Sequence, residues 1–549
     1  MPDVARRVSP SLLVAGLVGL VVFARFYRAA NPQADVPLRV TRAAAVDSAL
    51  HFLTAQGAPL NELKEAVQFT GNTVDLVFLQ RTLGLAEASR WAREFVPIWS
   101  WQLRWFKPLQ KEEWQIRVAV DGAVAGFAHL VEEGAPGATL TPDSARVVAE
   151  VFLRARGWNL ADFERVEASS EKRDKRTDHH FTWERKGATI AWHGAGLEAG
   201  TGAQRLAVDV QGDRVGGYRR FLKVPEAFER QLTKTLALGQ VIALASVGAT
   251  FVLVLIALGL TISRDRRGDV RWAPALRLAG LMAVLFIAQG LATYPRFKFG
   301  YPTALQWSVY LASLVLGLLF VTVVYGCWVV FTYTAGESLG RETFPQSLEG
   351  LVDVALGRLR TPAVARASLN GYALGFSFLG FLAAFYLIAE RWFGAWLPAE
   401  GPYSEIFNST VPWLAPLTIA LVAAITEEGT YRLFGISLVR RYLKSTPLAL
   451  VLPALVWAFG HSTYVVFPVY LRGIELTIGG VLFGLAFLRY GLLTCVVAHY
   501  VVDAVLFGIP LLSAGTVSYR SAGLVVMGLA LAPAMLGLTS RPAEPAAPQ

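Results

Sequence analysis

Apolar runs of the roughly twenty residues needed to cross a hydrocarbon core flank one long polar segment of this chain. They fall near 11–27, 236–262, 272–294, 306–333, 367–392, 411–436, 446–467, 471–489, 491–512 and 519–538. About ten transmembrane helices are therefore expected, in a polytopic α-helical membrane protein. The polar segment, 29–235, instead shows short alternating runs broken by Gly and Asn, the pattern of strands and turns. The expected layout is an N-terminal transmembrane anchor over 1–28, an α+β extracytoplasmic domain over 29–235, a transmembrane domain over 236–540 and a disordered tail over 541–549.

The polar segment repeats itself weakly. Residues 49–57 resemble 149–157, with Phe52/Phe152, Leu53/Leu153, Gly57/Gly157 and Leu60/Leu160 recurring at one spacing. Residues 118–127 resemble 208–218, each alternating like a hairpin around a Gly-containing turn. A short helix followed by several antiparallel strands, present twice, is the reading that fits. Such a unit loosely resembles the PepSY-type modules of extracytoplasmic and membrane peptidases. That likeness implies a domain that binds a peptide or regulates access to the membrane site; a packed scaffold without a ligand is the competing expectation.

Charge changes the picture mainly by orienting it. The chain has 51 Lys and Arg against 41 Asp and Glu, a net +10, while the 29–235 segment is nearly balanced. The excess gathers in short loops, at Arg264, Arg266, Arg267 and Arg271 and at Arg440, Arg441 and Lys444. The positive-inside rule makes both loops cytoplasmic, placing both termini inside and 29–235 outside; Arg296 and Lys298 run against it weakly. A basic excess confined to such loops predicts membrane lipids as neighbours and no nucleic-acid partner. The two cysteines, Cys327 and Cys495, lie in predicted spans, so the outer domain has no disulfide. The first span reads either as a cleaved signal peptide, with Arg6 and Arg7 before it and Ala29 and Ala30 after, or as a retained anchor. Arg25 and Arg28 interrupt the cleavage pattern and favour the anchor. Five of the seven histidines sit in the outer domain, but His179, His180 and His193 lack metal-ligand spacing and lie near a mixed-charge run of solvated-loop character.

Two adjacent carboxylates, Glu427 and Glu428, interrupt the apolar run Leu-Val-Ala-Ala-Ile-Thr-Glu-Glu-Gly-Thr-Tyr-Arg. Ionisable groups at such depth cost several kcal/mol and mark function. At i,i+4, Glu428 reaches Arg432, while Glu427 points about 100° away and is free to face a cavity as a base. The two intramembrane histidines, His461 and His499, follow on later spans, and Asp503 shares a helical face with His499. Two chemistries fit: zinc or another divalent metal held by Glu427, His461 and His499, or water activated directly by Glu427 and His461, with His499 and Asp503 at the oxyanion. The span edges put His461 near the outer side and His499 nearer the inner side, with Glu427 between, so they meet only if helices tilt or a water-filled cavity penetrates the bundle. Glu475 and the Glu390-Arg391 pair read as interfacial, and Gly480-Val-Leu-Phe-Gly484 as a close-packing motif.

In order, Glu427, Glu428 and Arg432, then Trp457 and His461, then His499 and Asp503 resemble the Glu-Glu-x-x-x-Arg, Phe-x-x-x-His and His-x-x-x-Asn/Asp motifs of the CPBP family of intramembrane proteases, which includes the CAAX prenyl endopeptidases and bacteriocin-processing, Abi-like proteins. Trp457 stands where Phe is usual. The resemblance covers roughly 410–510 and implies an eight-helix catalytic bundle, spans three to ten, hydrolysing peptide bonds of membrane-bound or lipidated substrates; the large outer domain without disulfides suits a bacterial plasma membrane. The competing expectations are a non-proteolytic scaffold or bacteriocin-immunity protein of the same family, and a proton-coupled transporter. The transporter is disfavoured by the lack of paired interrupted helices.

Overall fold

The computed structural model describes residues 8–400, apart from 195 and 197, and 404–538. The expected tail at 541–549 and the basic residues Arg6 and Arg7 lie outside the described residues.

The chain begins with α1 (Pro10–Ala30), which is apolar and packs along the later helix α10. Gly16 and Gly19 make that contact: a Cβ at Gly19 would lie 2.4 Å from the Phe376 carbonyl oxygen. The polar segment follows as α2 (Arg42–Ala55), β1 (Lys64–Gly71), α3 (Thr73–Leu83), α4 (Leu85–Glu94), β2 (Trp99–Phe106), β3 (Glu113–Ala119) and β4 (Val124–Leu130). Then come α5 (Pro142–Ala155), β5 (Phe163–Lys172), β6 (Thr177–Trp192), β7 (Gly200–Gln211) and β8 (Arg214–Lys223).

All eight strands form one antiparallel sheet in the order β1-β2-β3-β4-β8-β7-β6-β5. The repeat is visible in that order. Each unit is a helix followed by a four-strand meander, and β4 pairs with β8 to join the two meanders. The matched glycines end the matched helices: Gly57 and Gly157 adopt φ +71° and +83°, the left-handed conformation that closes a helix at little cost for Gly. Helices α3 and α4 belong to the first unit alone. They are an insertion between β1 and β2, and their length made the repeat degenerate in sequence.

The sheet domain has an aromatic core, with Trp101, Phe69, Phe78 and Phe181 at 2% exposure or less. His179 and His180 are neighbours on β6, so their side chains leave opposite faces. His179 bonds Ser170 Oγ (2.7 Å) and the Leu140 carbonyl (3.1 Å), and His180 bonds Asp209 (2.6 Å) and Thr182 (2.9 Å). Their nitrogens are spent on the fold.

One buried carboxyl makes the domain's stability pH-dependent. Asp75 on α3 is 7% exposed, and burial pushes its pKa up to about 7, against an opposing pull from Arg117. The folded state then retains a proton that the unfolded chain releases near pH 3.8, so stability falls as pH rises from about 4 to 7 and levels off above. Protection against amide exchange across α3 and β3 of the full chain, corrected for the intrinsic base-catalysed rate, is expected to fall over that interval; Asp75→Asn should flatten the dependence.

The membrane part starts without a break: α6 (Glu226–Asp265) continues from β8 and packs Phe228 against Phe78 and Trp192. It is followed by α7 (Trp272–Phe299), α8 (Trp307–Thr343), the short α9 (Leu351–Ala355), α10 (Pro362–Phe393), the short α11 (Ser404–Phe407) and α12 (Leu414–Glu427). After a wider π-helical stretch, Glu428–Ile436, come α13 (Ser437–Leu443), α14 (Thr446–Phe459), α15 (Leu471–Tyr490), α16 (Leu492–Ser513), α17 (Val517–Ala530) and α18 (Ala532–Leu538). Among the described residues, eight helices are long and apolar enough to cross a membrane. Two of the ten expected spans take other forms. The 411–436 run is α12 with its π-helical continuation, and the 446–467 run is helical only through Phe459.

Both basic loops lie at one end of the bundle, since Glu342 pairs with Arg264 and, at 3.0 Å, with Arg441. The Arg296–Lys298 turn lies at the other end, against the sheet domain, where Phe106 meets Tyr301 and Arg104 donates to the Phe299 carbonyl. The Gly480/Gly484 stripe is a packing surface: Cβ atoms there would come within 2.8 Å of Ala454 and 2.7 Å of Leu450 on α14.

Candidate functional site

The site grows from the point where α12 widens. A π-helical turn admits an extra residue per turn and is frequent at functional sites. Here it carries Glu428 and Arg432 wholly inside the bundle, at 0% and 1% exposure, with Arg432 Nε 3.2 Å from Glu428 Oε2. The Arg432 guanidinium lies over the rings of Trp457 (4.1 Å) and Phe483 (5.4 Å), which supply part of the stabilisation that water would otherwise give.

Glu428 also reaches across the bundle. Its Oε1 lies 2.8 Å from His499 Nδ1 on α16. One carboxylate thus ties the Arg432 turn to the imidazole and fixes the rotation of that ring. His499 Nε2 then faces Asp503 Oδ2 at 3.5 Å and Glu427 Oε2 at 3.8 Å. Because both ring nitrogens face carboxylates, the doubly protonated ring satisfies every contact.

Glu427 points into a cavity of about 200 Å³ whose wall includes Trp457, His461, His499, Asp503 and Arg472. Its side chain keeps 24% exposure and accepts a hydrogen bond from Trp457 Nε1. Trp457 is therefore more than an aromatic stand-in for Phe, which lacks that donor. Trp457→Phe is expected to lower kcat by about ten- to a hundredfold with little change in KM, as one charge-assisted bond of about 1.5–3 kcal/mol no longer orients the carboxylate. Steady-state cleavage of a peptide substrate by the two proteins measures it.

His461 lies just beyond the end of α14, where the chain leaves helical geometry. Its Nδ1 donates to the Trp457 carbonyl at 3.0 Å, leaving Nε2 of the neutral ring with its lone pair. His461 and His499, expected at different depths, both line the one cavity with Glu427.

A correction concerns Glu475, expected at the interface. It is 0% exposed, pairs with Arg472 one turn away and accepts from the Tyr386 hydroxyl at 3.1 Å. Arg472 thereby faces the cavity with its charge partner buried behind it. The i,i+3 spacing of Arg472 and Glu475 was the available sequence signal. Among the described residues, no three His, Cys, Asp or Glu side chains form a metal-ligand group. In the Glu427, His461 and His499 set, each imidazole commits Nδ1 to the protein, to the Trp457 carbonyl and to Glu428, and Glu427 accepts from Trp457.

A helical membrane bundle enclosing a carboxylate and imidazole cluster is the class that fold and geometry define. Residues 409–505 match the family model of the type II CAAX prenyl endopeptidase Rce1-like proteins. The chain is also similar to the sporulation-killing factor biosynthesis protein SkfC of Bacillus subtilis (strain 168), 24% identical over 201 residues. That match covers 37% of this chain and 37% of the relative's length. No solved structure matches. The segment carrying Glu427, His461 and His499 is thus similar to the Rce1-like proteins, a family of proteases acting on peptides or proteins at membranes.

Proposed function

We propose that the chain is an intramembrane endopeptidase hydrolysing peptide bonds of membrane-associated substrates. The observation that carries this is that Glu427, His461, His499 and Asp503 line one cavity. Glu427 and the free Nε2 of His461 hold a water between them. As its oxygen adds to the scissile carbonyl carbon, Glu427 takes the proton. His499 donates to the developing oxyanion, and Asp503 and Glu428 hold the ring in position. The C–N bond then breaks as the proton held by Glu427 passes to the departing amide nitrogen.

No step is routed through a metal. Glu428 and Arg432 are structural partners of the site. By the positive-inside rule the two basic loops face the cytoplasm, which puts both termini there and the sheet domain outside a bacterial plasma membrane. The proposal is tested by comparing peptide cleavage in membranes containing the chain and its Glu427→Gln variant; a scaffold or immunity role predicts a phenotype indifferent to that change.

A further inference from the structure

The catalytic cavity does not end at the catalytic residues. Leu382, Tyr464, Arg472, Asp503, Leu506 and Phe507 line it and also line a second cavity of about 290 Å³. That second space is bounded by the end of α1 and the chain just after it (Tyr27, Asn31, Gln33), by Leu397–Glu400 and by Tyr464–Val466. These are the segments that meet the sheet domain. The two cavities form one passage from the catalytic cluster to the face of the membrane that carries that domain.

The roof of the passage is built from two segments. Trp396 and Phe467 exchange backbone hydrogen bonds, both at 2.9 Å, which joins the strap after α10 to the chain after His461. Helix α3 of the sheet domain grips this roof. Gln80 donates to the Ala399 carbonyl (2.8 Å) and accepts from the Ala399 amide (2.7 Å), and Arg81 lies over the rings of Trp396 (4.3 Å) and Phe467 (5.1 Å). Farther along, the Asn408 amide nitrogen donates to the Phe69 carbonyl of β1 (3.0 Å) while its oxygen accepts from the Phe69 amide. Gln80 and Asn408 are both buried, and each pairs with a backbone as a strand would. Helix α3 belongs to the insertion that the second repeat lacks. What the first unit adds to the common module is the part that holds the roof.

We infer that the substrate is a membrane-tethered polypeptide whose scissile segment lies on the sheet-domain side, entering extended between the end of α1 and the Trp396–Glu400 strap, with α3 controlling the opening. The chemistry of the passage suits such a segment. Leu382, Leu397, Val466 and Phe507 offer apolar contact, and Arg472, anchored behind by Glu475, offers a cation to a backbone carbonyl at the junction of the two spaces. This rests on the proteolytic reading for the word substrate; the passage itself does not.

The test uses the full chain in sealed vesicles of known orientation. Cys327→Ser removes the exposed native thiol, Cys495 being buried, and Ala423→Cys places a probe thiol on the catalytic cavity wall. A membrane-impermeant maleimide is expected to label that thiol from the sheet-domain face only. Leu397→Trp should slow the labelling about tenfold, equivalent to about 1.4 kcal/mol of added barrier, and Leu397→Ala and Gln80→Ala should quicken it. Labelling from the opposite face, or rates indifferent to all three roof changes, would overturn the passage. New peptide ends that depend on Glu427, mapped by mass spectrometry, should lie on the sheet-domain side of the substrate's membrane segment; ends on the other side would overturn it as well. Normal labelling with no such ends would instead sink the proteolytic reading and leave the passage standing.

Discussion

Glu427→Gln is expected to lower kcat for peptide cleavage by roughly 10³-fold while the protein folds and inserts as before, the loss typical of removing a general base. Two features separate chemistry from structure at this position. The side chain faces the cavity, its hydrogen bond to the bundle is the one from Trp457 Nε1, which the amide oxygen of Gln still accepts, and His499 Nε2 lies farther off at 3.8 Å. Thermal unfolding in detergent should therefore shift by no more than about 1 kcal/mol, the ordinary size of a point substitution that opens no cavity and leaves no hydrogen bond unmade. His461→Gln should lose a comparable factor if Nε2 shares the water. Retained cleavage in the Glu427 variant would remove it from the role of base, and a fallen melting temperature would show the loss to be structural.

The contrast with Glu428 was half legible in the sequence. Spacing by four gave Glu428 to Arg432 and His499 to Asp503, because helical periodicity alone brings such residues to one face. It could not give the bond from His499 to Glu428, which joins positions 71 apart in the chain across two helices. Nor could it give Trp457 to Glu427: an aromatic at that motif position reads as packing until the indole nitrogen is seen to find an acceptor. Glu475 was misread because a charge near the end of an apolar run ordinarily reaches the interface, whereas here Tyr386 and Arg472 meet it inside. In the sheet domain, period-two alternation and the paired glycines exposed the two units. The β4–β8 join depends on pairing between strands far apart in sequence, and no local pattern encodes it. The roof contacts of Gln80 and Asn408 were equally silent, since a lone amide side chain has no sequence context that distinguishes a surface residue from a backbone clamp.

The largest effect on stability is expected from Arg432→Met. Removing the guanidinium leaves the Glu428 carboxylate at 0% exposure with His499 as its remaining cationic neighbour, and breaking a buried pair from one side costs about 3–5 kcal/mol. Met fills similar space against Trp457 and Phe483 but carries no charge to offset the carboxylate. Thermal unfolding in detergent measures the loss. The double variant Glu428→Gln with Arg432→Met removes both charges and should recover most of that stability, because two buried neutral side chains no longer require each other. Cleavage should not return with it. A Gln at 428 still contacts His499 but no longer supplies the negative charge that helps hold the ring doubly protonated, so the oxyanion donor is lost while the fold is restored. Recovery of both properties together would mean that Glu428 serves only to neutralise Arg432, and that the ring of His499 is held by Asp503 alone.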